Sequence, residues 1–166
     1  MVPPESMQFA TVPMAQFPLS WRFSDPRYDK LPPTDLAEIN PLAPNDARQL
    51  WAMISQANLV NDMSLSTGPL PRVAHTRIED AGDSGGEDPR IREWLNRLGI
   101  KCRERVWLSY QPDVAIETKW EILVRYWSAF YYPGSDDLTV VGRCFSWVLF
   151  FSHEEEIFFN AKSEKA

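Results

Sequence analysis

The sequence predicts an α+β fold, an antiparallel sheet of about four to five strands covered by helices in two layers, with a β-α-β-β-β unit towards the C-terminus. Three observations lead to it. Fourteen of the twenty-one aromatic residues lie between positions 105 and 160, so that stretch must supply the principal core. Within it, residues 106–110, 138–141, 147–151 and 156–159 are short apolar or β-branched runs of strand length. After the first of them comes one run of helical periodicity, residues 119–130, with Trp120, Leu123, Val124, Trp127 and Phe130 on one broad face.

Length and composition bound the rest. At 166 residues, 44% apolar and 24% charged, the chain fits one domain at 21–160, after an extended or partly disordered arm at 1–20 and before a polar tail at 161–166. A net charge of -6 argues against sequence-independent nucleic-acid binding, which requires a cationic footprint, and favours a basic protein partner. No window approaches the roughly 18 apolar residues of a membrane span. Cys102 and Cys144 have no CxxC context and no secretory signal precedes them, so a reducing cytoplasm and buried or half-buried thiols are expected.

In chain order, Trp21 and Phe23 alternate with polar neighbours, which reads as a short edge strand closed by Ser24-Asp25-Pro26. Thr34 has the form of an N-cap for one or two helical turns that end before Pro41. A longer helix follows, with Asn45 as cap, Asp46 at its positive end, and Ala47, Leu50, Trp51, Ile54 and Ala57 on one face. Residues 58–88 lose periodicity and become glycine-rich and acidic, the composition of a mobile loop. Asp88 as N-cap, Pro89 at the first position and Gly99 beyond the end mark the next helix. Residues 114–116 either extend the first strand or form an edge piece. Thr118-Lys119-Trp120-Glu121 has capping-box form. The final three strands form a meander, with 147–151 central because it is apolar throughout and the last strand at an edge.

The possible chemistry is sparse. His153-Glu154-Glu155-Glu156 is the densest donor set, but successive strand residues point to opposite faces, so it reads as a solvated turn; no metal and no cofactor is expected. Asp136 and Asp137, with Glu117 and Glu121 at the far end of the helix, are the carboxylates whose convergence would support acid–base work. Asx turns and helix capping are the better explanation of them. Trp120, Tyr131 and Tyr132 are candidate binding residues, because the chain holds more Trp and Tyr than a small two-layer core requires.

The chain also resembles a family of small, uncharacterised bacterial proteins, a domain of unknown function. The resemblance rests on Trp21-Arg22-Phe23, Leu31-Pro32, Asp35-Leu36, Ile39-Asn40-Pro41-Leu42, Ala47, Leu50-Trp51, residues 116–120, Trp127 and Asp136-Asp137. It implies no catalytic residues. In size, acidity and layout the chain is also similar to immunity proteins that neutralise bacterial toxins. The expectation is a non-catalytic interaction domain for a basic partner. The alternatives are a small-molecule or hydrolytic domain using Glu117, Glu121 and Asp136, and a homodimer paired through the last strand.

Overall fold

Neighbouring residues of a strand face opposite sides of the sheet, and here both sets are apolar, so both faces need cover. The computed structural model describes residues 7–27, 31–60, 62–79 and 88–163. A seven-stranded antiparallel sheet comprises β1 (Asn40–Pro41), β2 (Arg72–Arg77), β3 (Arg105–Gln111), β4 (Val114–Lys119), β5 (Leu138–Gly142), β6 (Trp147–Phe151) and β7 (Glu156–Ala161). Their spatial order is β1-β4-β3-β5-β6-β7-β2. The helices are α1 (Trp21–Ser24), α2 (Pro33–Leu36), α3 (Pro44–Gln56), α4 (Asp62–Thr67), α5 (Pro89–Asn96), α6 (Trp120–Arg125) and α7 (Trp127–Phe130).

Val106, Leu108, Val140, Leu149 and Phe159 face one core with Ile91 and Leu95 of α5, Leu123 of α6 and Phe130 of α7. Trp107, Ala115, Val141, Val148 and Phe158 face a second core with Ala47, Leu50 and Ile54 of α3 and Leu65 of α4. The mixed helix and antiparallel-sheet class stands, but the expected two layers and four to five strands give way to three layers and seven strands. Phe9, Trp107, Phe150 and Phe158 supply the aromatic residues of this second core.

Most strand corrections lie outside the aromatic stretch. The expected mobile loop at 58–88 contains α4 and β2; residues 80–87 of that acidic run lie outside the described residues. β2 pairs with β7, so the last strand is internal and its expected free edge, the basis for a homodimer, is occupied. Leu70 and Leu65 each lend a carbonyl to Asn160 Nδ2, at 2.8 and 3.2 Å, securing this join. β6 is central, as its continuous apolar run requires, and β4 is a full strand paired with β3.

Several caps also differ. Trp21–Ser24 is a helical turn and not an edge strand: Arg22 and Phe23, adjacent in sequence, are both buried, whereas a strand would send them to opposite sides. α3 starts at Pro44 with Ala43 as N-cap; Asn45 accepts from Arg48 at 2.7 Å, and Asp46 accepts from the Ala10 amide at 2.7 Å. α2 likewise has no side-chain cap. The Thr118 capping box does not form, because Thr118 is still in β4 and its hydroxyl donates to the Glu38 carbonyl at 2.9 Å. The expected single helix at 119–130 divides at Tyr126 (φ -120°, ψ 29°). Arg92 Nη2 donates to the Arg125 carbonyl there at 2.8 Å, satisfying a helix end. Asp88, Pro89 and Gly99 (φ +77°) behave as the sequence predicts.

Residues 7–20 lie on the domain. Phe9 and Phe17 are buried, and Thr11 bridges Leu42. Cys102 and Cys144 are exposed free thiols rather than buried ones. Among the described residues no helix is long and apolar enough to cross a membrane.

Candidate functional site

The short helix α1 carries three consecutive side chains to three destinations. Phe23 enters the core against Phe130, ring centroids 5.1 Å apart. Arg22 is buried beneath the surface, and Trp21 stays 38% exposed. The Arg22 guanidinium meets Asp136 in a bidentate pair, Nη1 on Oδ2 and Nη2 on Oδ1, the latter at 2.8 Å. Asp136 lies in the turn between α7 and β5, where its Oδ2 also accepts the Tyr132 amide at 2.8 Å. Two fixed donor sets thus position one carboxylate, so its buried charge is met by hydrogen bonds as well as by an opposite charge.

Aromatic rings enclose the pair. The Arg22 guanidinium carbon lies 4.4 Å from the Tyr132 ring centroid, 5.3 Å from Tyr110 and 5.4 Å from Trp21, within cation–π range. Trp21 and Tyr132 are in contact, with centroids 5.5 Å apart. The Phe130 carbonyl accepts from both the Tyr110 hydroxyl, at 2.6 Å, and Arg22 Nη1, at 3.2 Å. Burial opposes the Arg22 charge, but the hydrogen bond to and attraction of Asp136 outweigh it and raise the pKa above the ordinary arginine value. Burial pushes the Tyr110 hydroxyl up as well, so it stays protonated and donating.

The adjacent turns extend this site to the surface. Gly134, with φ +80°, allows the 131–137 turn to reverse, and its amide donates to the His153 carbonyl at 3.1 Å. That contact sets the 152–155 turn beside it. Asp137 Oδ1 takes the His153 amide at 2.9 Å and lies 2.9 Å from His153 Nδ1. Asp137, Glu154 and Glu155 are exposed. Tyr131 lies underneath, its hydroxyl raised in pKa by burial and then by Glu155, with Asp136 and Asp137 adding to the effect.

Of the aromatic and carboxylate candidates, Tyr131, Tyr132, Asp136 and Asp137 gather in this region, while Trp120 and Glu117 lie elsewhere. Tyr131 and Trp120 belong to the core: the Tyr131 hydroxyl donates to the Ser152 carbonyl, and Trp120 packs edge-on against Trp147 at 5.8 Å. Glu117 accepts from Trp107 Nε1 at 3.0 Å and Arg105 Nη1 at 3.1 Å, on the face of the second core. Asp136 belongs with Tyr110 and Phe130 on the other face, so the expected meeting of Glu117, Glu121 and Asp136 does not occur. Glu121 opens α6, its amide donating to the Cys102 carbonyl at 2.9 Å. Among the described residues no three His, Cys, Asp or Glu side chains are grouped as a metal site.

Sequence reasoning missed Arg22 and Trp21. An arginine between two aromatic residues was the available signal, but nothing local pairs it with a carboxylate 114 positions away.

Together the fold and this site define a small mixed α/β protein, helices on both faces of an antiparallel sheet, with a buried arginine–aspartate pair ringed by aromatic side chains. The chain belongs to the family described as "Protein of unknown function (DUF2947)", whose model matches residues 11–159. No curated protein and no solved structure matches the chain.

Proposed function

We propose that this protein is a non-catalytic interaction domain whose surface at the 131–137 and 152–155 turns receives a basic protein partner, in the manner of an immunity-type inhibitor facing a bacterial toxin. The observation that carries this reading is the juxtaposition, at one end of the sheet, of the Trp21–Tyr132 ring pair with the exposed carboxylates of Asp137, Glu154 and Glu155. Large aromatic anchors supply contact area at low entropic cost, and surrounding charge of one sign steers an oppositely charged partner. The buried Arg22–Asp136 pair holds the anchors in place before binding, which lowers the ordering cost of association.

The test is affinity capture at low and high salt with the native chain, Trp21→Ala and the combined Asp137→Asn, Glu154→Gln, Glu155→Gln variant. The reading expects a stoichiometric basic protein whose retention falls with ionic strength and is lost with either variant. Recovery of no stoichiometric partner at any ionic strength, or retention unchanged in both variants, overturns it.

A further inference from the structure

The opposite end of the sheet, where β6 begins and β7 finishes, holds a cleft of about 500 Å3, within the range of about 300–1,000 Å3 typical of small-molecule sites. Its walls include Val73, Leu98, Ile100, Trp147 and Phe159. Val73 stands at the bulge between Arg72 and Ala74 and is 59% exposed, so the rim is apolar where an edge strand is ordinarily charged.

One carboxylate lines the cleft, that of Glu104, a residue anchored at its backbone and at one side-chain oxygen. Its amide donates to the Lys101 carbonyl at 3.0 Å and its own carbonyl accepts the Trp120 amide at 2.8 Å. Its Oε1 accepts from Trp147 Nε1 at 3.0 Å. Gly142 makes room for this arrangement, because a Cβ there would stand 2.6 Å from Glu104 Oε1 and 2.7 Å from Trp147 Nε1. Among the described residues Glu104 has no ion-pair partner, and its Oε2 receives no protein donor. A half-buried carboxylate against apolar walls, fixed at one oxygen and in no ion pair, is complementary to a cationic group on an apolar body.

We infer that this cleft is a binding site for an organic amine, with the ammonium on Glu104 and the apolar portion against Val73, Leu98 and Phe159. It lies across the sheet from the acidic turns and does not depend on the proposed protein partner. Lys162 lines the same cleft and sets the competing preference, for an anion, that the experiment must separate.

The experiment is isothermal titration calorimetry of the full chain with phenethylamine and with 3-phenylpropionate, which share a ring and differ in charge. The amine binds and the carboxylate does not. Glu104→Gln keeps an oxygen for Trp147 and weakens amine binding by about ten-fold or more, the usual worth of one charge-assisted hydrogen bond. Val73→Arg, at an exposed position, places a cation at the rim and abolishes amine binding with the unfolding midpoint unchanged, which keeps the test decisive if Glu104→Gln fails to fold. Binding of the carboxylate alone, equal binding of both probes, binding of neither, or amine affinity unchanged in both variants would overturn the inference.

Discussion

Arg22 and Asp136 form a two-point ion pair across 114 residues of sequence, with side chains only 4% and 9% exposed. Removing one partner leaves the other charge buried. Asp136→Ala is therefore expected to destabilise the fold by about 3–5 kcal/mol, whereas the double change Arg22→Met with Asp136→Leu costs less than either single charge removal. Urea unfolding of Asp136→Ala, Arg22→Met and the double variant measures this; an Asp136→Ala loss below about 1 kcal/mol would show that the pair does not support the fold.

Gly142 is the narrow point between β5 and the Glu104–Trp147 hydrogen bond. Gly142→Ala is expected to cost about 1–3 kcal/mol through overpacking. In a double-mutant cycle with Trp147→Phe the cost of the added methyl should shrink, because the displaced indole nitrogen is no longer there. An unchanged cost in that background places the strain elsewhere.

Asp88 caps α5 by accepting the Arg90 amide at 3.1 Å, and it also accepts the Glu79 amide at 3.1 Å. Asp88→Ala should destabilise by about 1 kcal/mol. The Arg90 guanidinium holds the Asp88 carboxyl below the ordinary aspartate value, against an opposing effect of burial. A carboxyl with a depressed folded pKa contributes stability that is present above about pH 4, the unfolded value, and lost as pH falls through the folded one. The stability difference between native chain and variant should therefore be largest above pH 4 and decline in acid, as unfolding curves at a series of pH values will show.

Tyr110 and Tyr131 both have hydroxyls raised by burial. In the unfolded chain each ionises near pH 10, so their contribution to stability is complete below that and is lost as pH rises through the folded values. Alkaline titration should show the Tyr110 and Tyr131 phenols silent until the fold opens, read as phenolate absorbance that rises together with the loss of near-ultraviolet circular dichroism. Early titration of both would contradict the buried hydroxyls. Tyr131→Phe should cost about 1 kcal/mol through the donor lost to the Ser152 carbonyl.

What was legible in the sequence was what is decided locally. Asp88, Pro89 and Gly99 delimit α5 from within a few residues of its ends, and the unbroken run Trp147–Phe151 marks a strand buried on both faces. β2 was illegible because it hides its surface by unusual means. His75 stacks on Phe158 at 4.8 Å, and Arg72 lies over the same ring at 4.4 Å, so polar residues cover the face of an aromatic one and no alternation of apolar residues appears. Residues 131–137 are recognisable as a turn rich in candidates, yet the polar tip of Tyr131 suggests a surface role that the residue does not have. That tip is satisfied internally by Ser152, 21 positions on. The Arg22–Asp136 pair depends wholly on how distant segments meet, and no periodicity encodes it.

β2 has a single neighbour, β7, and Arg72 faces Asn160 across that join. On a ribosome, residues 72–77 emerge long before residues 156–161 are made, so throughout most of translation this strand has nothing to pair with. Closing the sheet is consequently a late event with a large loop to span, which slows folding. Until then Val73 and one whole row of backbone amides stand open to other nascent chains.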